Sequence, residues 1–107
     1  MDKETQLSEA IEAALDKKAQ DAVVLELREI CSFTDYFLIC SGTSTRHNQT
    51  IAEHIEGHSE GEWILLDYVD FVVHIFSARA REFYDLERLW RAGKRRDAHE
   101  LIAQRAL

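Results

Sequence analysis

Tyr36-Phe-Leu-Ile-Cys40 is apolar at every position. A strand built from such residues has no side to turn toward water, so it belongs in the middle of a sheet with helices covering it. The neighbouring segments supply both partners. In residues 4–18, Leu7, Ala10, Ile11, Ala14 and Leu15 recur at helical spacing, which predicts an amphipathic helix. Lys17 and Lys18 fall at its end, where positive charge complements the helix dipole. Asp21-Ala-Val-Val-Leu-Glu-Leu-Arg28 alternates Val23, Leu25 and Leu27 with Val24, Glu26 and Arg28, the period of a strand with one drier face.

After the central strand, Ser41-Gly-Thr-Ser-Thr45 is a hydroxyl-rich turn. Ser44 or Thr43 can cap a helix running from about Thr45, with Ile51 and Ile55 as a thin apolar stripe. Gly57 to Gly61 breaks that pattern. Trp63-Ile-Leu-Leu-Asp-Tyr-Val-Asp-Phe-Val-Val-His-Ile-Phe76 then reads as two strands in a hairpin. Trp63, Leu65 and Asp67 share one face, and Ile64, Leu66 and Tyr68 the other. The reversal falls at Tyr68-Val69-Asp70. Ser77 can cap a last helix with Phe83, Leu86, Leu89 and Trp90 on one face, and Gly93 is placed to stop it. The order helix, strand, strand, helix, strand, strand, helix predicts one α/β layer protein with a mixed β-sheet flanked by helices.

With 107 residues, 46% of them hydrophobic, the chain suits one packed domain. No apolar run approaches the roughly 20 residues of a membrane span. The polar, acidic start Met1-Asp-Lys-Glu-Thr-Gln-Leu-Ser-Glu9 is unlike a secretory signal, so the expected location is the cytoplasm. Cys31 and Cys40 lie in or beside apolar runs and read as buried hydrophobes. The net charge of −7 is unevenly spread. From Arg91 onward five basic residues face two acidic ones, whereas residues 1–90 carry eight basic and eighteen acidic residues. Such a body repels bare nucleic acid and suits a basic protein surface.

Several patterns could carry chemistry. Gly42-Thr-Ser-Thr45 before a helix could hold an anion, but no Walker spacing accompanies it, and a helix N-cap explains the residues. His54 and His58 stand four apart, with His47 two turns earlier, a spacing compatible with a metal but without the adjacent glutamate of a zinc-protease motif. Arg79, Arg81, Arg88, Arg91 and Lys94-Arg-Arg96, with Tyr84 and Trp90 nearby, could touch RNA, or could pair with Glu82, Asp85 and Glu87. In the hairpin, Asp67, Asp70 and His74 could form a catalytic set. The reversal itself explains both aspartates, and a histidine on an apolar strand reads as a packed or hydrogen-bonded side chain.

Three ordered stretches carry a family resemblance: Asp35-Tyr-Phe-Leu-Ile-Cys-Ser-Gly-Thr-Ser-Thr-Arg-His47, the hairpin segment 63–76, and Arg81-Glu-Phe-Tyr-Asp-Leu-Glu-Arg-Leu-Trp90. Together, over roughly residues 5–92, they resemble the ribosomal silencing factor family (RsfS, Iojap or DUF143). The resemblance implies a nucleotidyltransferase-like α/β fold without catalysis. It implies a cytoplasmic repressor of translation that needs no cofactor. Such a factor docks on ribosomal protein L-fourteen of the large ribosomal subunit, blocks joining of the small subunit when nutrients are short, and forms a homodimer. On that basis residues 1–92 are the silencing-factor domain and residues 93–107 a basic tail with peripheral ribosomal RNA contact. The expected partner-binding residues are Trp63, Asp67, Tyr68, Asp70, His74, Phe76, Tyr84, Glu87 and Trp90. The alternative is a nucleotidyltransferase-like enzyme using the hairpin aspartates. Two positions depart from the family pattern. Val69 stands where the family has glycine, and because valine resists positive φ the turn is expected to use another geometry. Glu56 runs directly into Gly57, where the family has a longer helix and a further segment, so the chain is shortened there or lacks residues.

Overall fold

A computed structural model describes residues 3–55 and 63–105. The elements are α1 (Lys3–Asp16), β1 (Gln20–Glu26), β2 (Tyr36–Gly42), α2 (Thr45–Ile55), β3 (Trp63–Asp67), β4 (Phe71–Ser77), α3 (Ala78–Tyr84), α4 (Leu86–Leu89), β5 (Lys94–Asp97) and α5 (Ala98–Arg105). One five-stranded sheet runs in the order β3-β4-β2-β1-β5. β2 and β4 are parallel and the other pairings antiparallel, so the sheet is mixed, as the sequence predicted. Every residue of β2 is buried, in keeping with its unbroken apolar run.

The sheet has two unequal faces. Leu38 and Cys40 of β2, Val24 of β1, Ile64 and Leu66 of β3, and Phe71, Val73 and Ile75 of β4 pack under α1, α2 and α5. α1 contributes the predicted stripe of Leu7, Ala10, Ile11 and Ala14, and α2 contributes Ile51 and Ala52. The opposite face carries Val23, Leu25, Phe37, Ile39, Val72 and Phe76, against which Ala80 of α3, Leu86 of α4, Trp90 and the Leu27–Cys31 turn are packed. No described helix is long and apolar enough to cross a membrane.

Local chemistry sets the joints. α1 ends in a Schellman pattern: Lys18 sits at φ 61, its N–H donates to the Leu15 carbonyl, and the Ala19 N–H donates to the Ala14 carbonyl. α2 begins where Ser44 Oγ accepts from the His47 N–H at 3.0 Å, the expected cap. Asn48, fully buried one turn on, accepts the Gly42 N–H through Oδ1 at 3.0 Å. A Cβ at position 42 would lie 2.3 Å from that Oδ1, so only glycine lets β2 approach the helix this closely.

Three expectations are corrected. The single helix after Ser77 is two helices. Ser77 does cap the first, accepting the Ala80 N–H, but Asp85 enters the left-handed region (φ 50, ψ 48) and its N–H closes on the Arg81 carbonyl. The break turns Phe83 and Leu89 outward, while Leu86 and Trp90 stay packed on the sheet. Residues 94–105, in the stretch expected as a basic tail, instead provide the edge strand β5 and, through Ala98, Leu101 and Ile102 of α5, part of the main core. Asp97 Oδ1 caps that helix by accepting the His99 and Glu100 N–H groups.

The third correction is Val69, which does adopt positive φ, at 71°. The Asp70 N–H donates to the Tyr68 carbonyl at 2.8 Å, an i→i+2 bond that makes Val69 the centre of a strained γ-turn. Asp67 Oδ1 accepts the Val69 N–H at 2.8 Å, and the Tyr68 N–H donates to Phe71 at 3.0 Å, so surrounding hydrogen bonds hold the strained residue in place. Relief of that strain in Val69→Gly should raise stability by about 1 kcal/mol, a few degrees in Tm by thermal melting. An unchanged or lower Tm would mean that the turn stores no strain.

Candidate docking surface

On the open face, side chains from four segments meet. Register pairs Trp63 with Phe76, Leu65 with His74 and Asp67 with Val72, so the outward residues of β3 lie beside those of β4. The Trp63 ring is 5.0 Å from Phe76 and 4.6 Å from Tyr84 at the end of α3. Phe37 on β2 meets His74 edge-on at 4.6 Å and Trp90 at 5.7 Å. Phe33, from the β1–β2 connection, extends the array against Trp90 at 6.1 Å, and Phe83 extends it beyond Tyr84 at 5.1 Å. An aromatic shelf thus runs from Phe33 to Phe83 across the sheet. Its outer members are exposed, with Phe83 at 80%, Leu89 at 72%, Phe33 at 62% and Leu65 at 52%. Large exposed apolar patches commonly mark interaction sites.

Of the nine predicted partner residues, Trp63, His74, Phe76, Tyr84 and Trp90 come together on this shelf. Asp67 lies at its margin, with one carboxylate oxygen bonded into the turn. Asp70 is exposed at the hairpin tip, where its carbonyl accepts the Asp35 N–H at 2.9 Å. Tyr68 does not join them. Alternation turns it to the helical face, where it stacks on Phe71 at 4.9 Å. Glu87 lies partly buried between two arginines: Oε1 accepts from Arg81 Nε at 2.7 Å and Oε2 from Arg95 Nη1 at 2.6 Å. Burial alone would raise its pKa, but the Arg81 hydrogen bond and the charges of Arg81 and Arg95 outweigh that and lower it.

Phe33, Phe37, Leu65, Phe83 and Leu89 were absent from the predicted set. Leu65 was within reach, since it shares strand parity with Trp63. Phe83 and Leu89 were hidden by reading one continuous helix through Asp85.

The other sequence candidates are otherwise engaged. Thr43 N–H donates to His47 Nδ1 at 2.8 Å, and His47 Nε2 lies 2.7 Å from the Lys17 carbonyl, so the hydroxyl-rich loop bonds to its own helix. His54 pairs with Asp16 at 3.1 Å, and His58 lies outside the described residues. Cys40 is fully buried, and burial pushes its thiol up to about 12.

His74 is the buried polar centre of the shelf, 3% exposed. Trp63 Nε1–H donates to its Nδ1 at 3.1 Å, which places the ring hydrogen on Nε2, an atom without a hydrogen-bond partner among the described residues. Burial lowers its pKa from 6.5 to about 4. Protonation would require breaking the Trp63 bond and charging a dry site. The native state therefore resists a proton that the unfolded chain accepts below pH 6.5. The stability contributed by neutral His74 is complete above that pH and is lost as pH falls toward 4, by about 3 kcal/mol at pH 4. Denaturant unfolding across pH 7 to 4 should show this slope, and His74→Phe should flatten it. An equal slope in both proteins would remove His74 from the linkage.

Comparison with known proteins places this chain in a family. The family model described as "ribosomal silencing factor during starvation" matches in two stretches, residues 1–58 and 52–106. The two stretches overlap over residues 52–58. The ribosomal silencing factor RsfS of Bacillus subtilis is 38% identical over 104 residues, spanning 84% of this chain and 88% of that protein. The mouse mitochondrial assembly of ribosomal large subunit protein 1 is 32% identical over 91 residues, 69% of this chain and 40% of that protein. A crystal structure of a Chromobacterium violaceum protein superposes with a TM-score of 0.78 at 31% identity, covering 84% of this chain and 87% of the other. A Bacillus halodurans structure gives 0.71 at 36% identity, covering 81% and 94%. The chain belongs to the ribosomal silencing factor (RsfS) family.

Proposed function

We propose that this protein represses translation by docking on the large ribosomal subunit through ribosomal protein L-fourteen, where its bulk keeps the small subunit from joining. The observation that carries this reading is the aromatic shelf on the less covered sheet face. Buried aromatic anchors commonly dominate protein interfaces, and a cluster of them left in water on a chain of net charge −7 fits a partner with a basic surface. The names of the relatives point to the ribosome and its large subunit. The action is steric, cytoplasmic and tied to starvation, and it requires no catalysis: Asp67 and Asp70 stand at the two ends of a reversal, where Asp67 is bonded to the backbone. Lys94 and Arg96, exposed on β5, supply positive charge for peripheral contact with ribosomal RNA phosphates.

Sedimentation tests the reading. The purified protein should travel with isolated large subunits and reduce the yield of joined ribosomes when small subunits are added. Leu65→Asp, which places a charge on the shelf at an exposed position beside His74, should weaken co-sedimentation by roughly tenfold or more without changing the circular dichroism spectrum. A wild-type protein that stays at the top of the gradient, with subunit joining unaffected, would sink the proposal. Full binding by Leu65→Asp would move the docking surface elsewhere.

A further inference from the structure

The shelf rests on a weakly anchored support. α4 is four residues long and has no buried residue, and the left-handed Asp85 separates it from α3. Leu86 and Trp90 pack on the sheet only in part. What ties this segment to the rest of the molecule is polar. The Arg81 side chain, 12% exposed, donates through Nε to Glu87 and through Nη1 to Ser41 Oγ of β2 at 3.1 Å and to the Gln20 carbonyl of β1 at 3.5 Å. Arg95 reaches the other Glu87 oxygen from β5. One carboxylate therefore joins α4 to α3 and to the far edge of the sheet, and Arg81 carries the connection on to β2 and β1.

We propose that Glu87 is a positioning residue, which holds Tyr84 and Trp90 in register with Trp63 and Phe37 and does not itself meet the partner. The inference rests on the docking reading for what the shelf does, but not for how the shelf is held. Both carboxylate oxygens already have partners inside the molecule, and freeing Oε1 for an external contact would take the carboxylate away from Arg81, whose side chain is only 12% exposed. Tyr84 lies three residues before Glu87 and Trp90 three after it, so a shift of α4 displaces the two aromatic contacts that close the shelf, Trp63–Tyr84 and Phe37–Trp90. This reassigns Glu87 from the predicted contact set to its scaffold.

The chain has two tryptophans, Trp63 and Trp90, and both are in the shelf, so selectively excited tryptophan fluorescence of the free protein reports on this surface alone. In Glu87→Gln, tryptophan emission should shift to the red and acrylamide quenching should rise before any ribosome is present. Binding to isolated large subunits should then fall about tenfold. Arg95→Ala, at a more exposed position and expected to be better tolerated, should change both readouts in the same direction by less. The double variant should lose little beyond Glu87→Gln, since both act through one clamp. Unchanged emission and quenching in Glu87→Gln, with binding lost, would make Glu87 a direct contact and overturn the proposal, as would additive losses in the double variant. Failure of the wild-type protein to bind large subunits would overturn the docking reading itself. Changed fluorescence in Glu87→Gln would then still establish the clamp.

Discussion

The parallel pairing of β2 with β4 is the constraint on which the rest of the molecule depends. Both strands are buried along nearly their whole length, and their register runs from Tyr36–Phe71 to Gly42–Ser77. A parallel pair cannot be closed by a tight turn, so the chain must leave the sheet between them and return. It does so through α2, which packs on the helical face together with α1 and α5. Three helices are thereby committed to one side. The other side is left with the short α3 and α4, whose packed side chains are Ala80, Leu86 and Trp90. The exposed shelf follows from this imbalance of cover: on the edge strand Trp63 is met from α3 by Tyr84 at its end, and Leu65 is left 52% exposed.

An uncovered apolar face invites nonspecific association, and two features of the chain counter it. The acidic residues concentrated in residues 1–90 favour repulsion between copies and attraction to basic partners. The shelf is also ordered by specific polar contacts: the Trp63–His74 hydrogen bond at its centre and the Arg81–Glu87–Arg95 clamp at its rim. Ordering aromatic side chains before binding reduces the entropy lost on docking. The same contacts make the surface sensitive to loss of a single proton acceptor or charge.

Much of the fold was legible in the sequence because it rests on periodicity. The all-apolar Tyr36–Cys40, the alternation around Trp63 and the i, i+3, i+4 stripe of the first helix each specify an element and the face it buries. Ser44 and Ser77 marked two helix starts for a chemical reason, since each hydroxyl accepts the backbone N–H three residues on. What was not legible depended on backbone conformations that residue type disfavours. Val69 takes a positive φ that valine resists, because four residues of hairpin and the Asp67 carboxylate hold it there. Asp85 breaks a helix that its neighbours would otherwise continue. Polar Lys94-Arg-Arg-Asp97 carries no strand periodicity and becomes a strand only because β1 offers an open edge. For the site, alternation put Trp63, Leu65 and Asp67 on one face of their strand, and the register of the hairpin brings that face beside His74 and Phe76. Alternation also assigned Tyr68 to the opposite face, so the hairpin's own pattern argued against grouping Tyr68 with Trp63.

The central claim is that the less covered sheet face is the one that meets the ribosome, and hydroxyl-radical footprinting tests it most directly. The chain is oxidised alone and in complex with isolated large subunits, and side-chain modification is compared residue by residue. Protection is expected at Phe33, Trp63, Leu65, Phe83 and Leu89, which are exposed in the free protein, with no change at exposed positions of α1 and α5. Protection of the α1–α5 side with the shelf left reactive would contradict the claim.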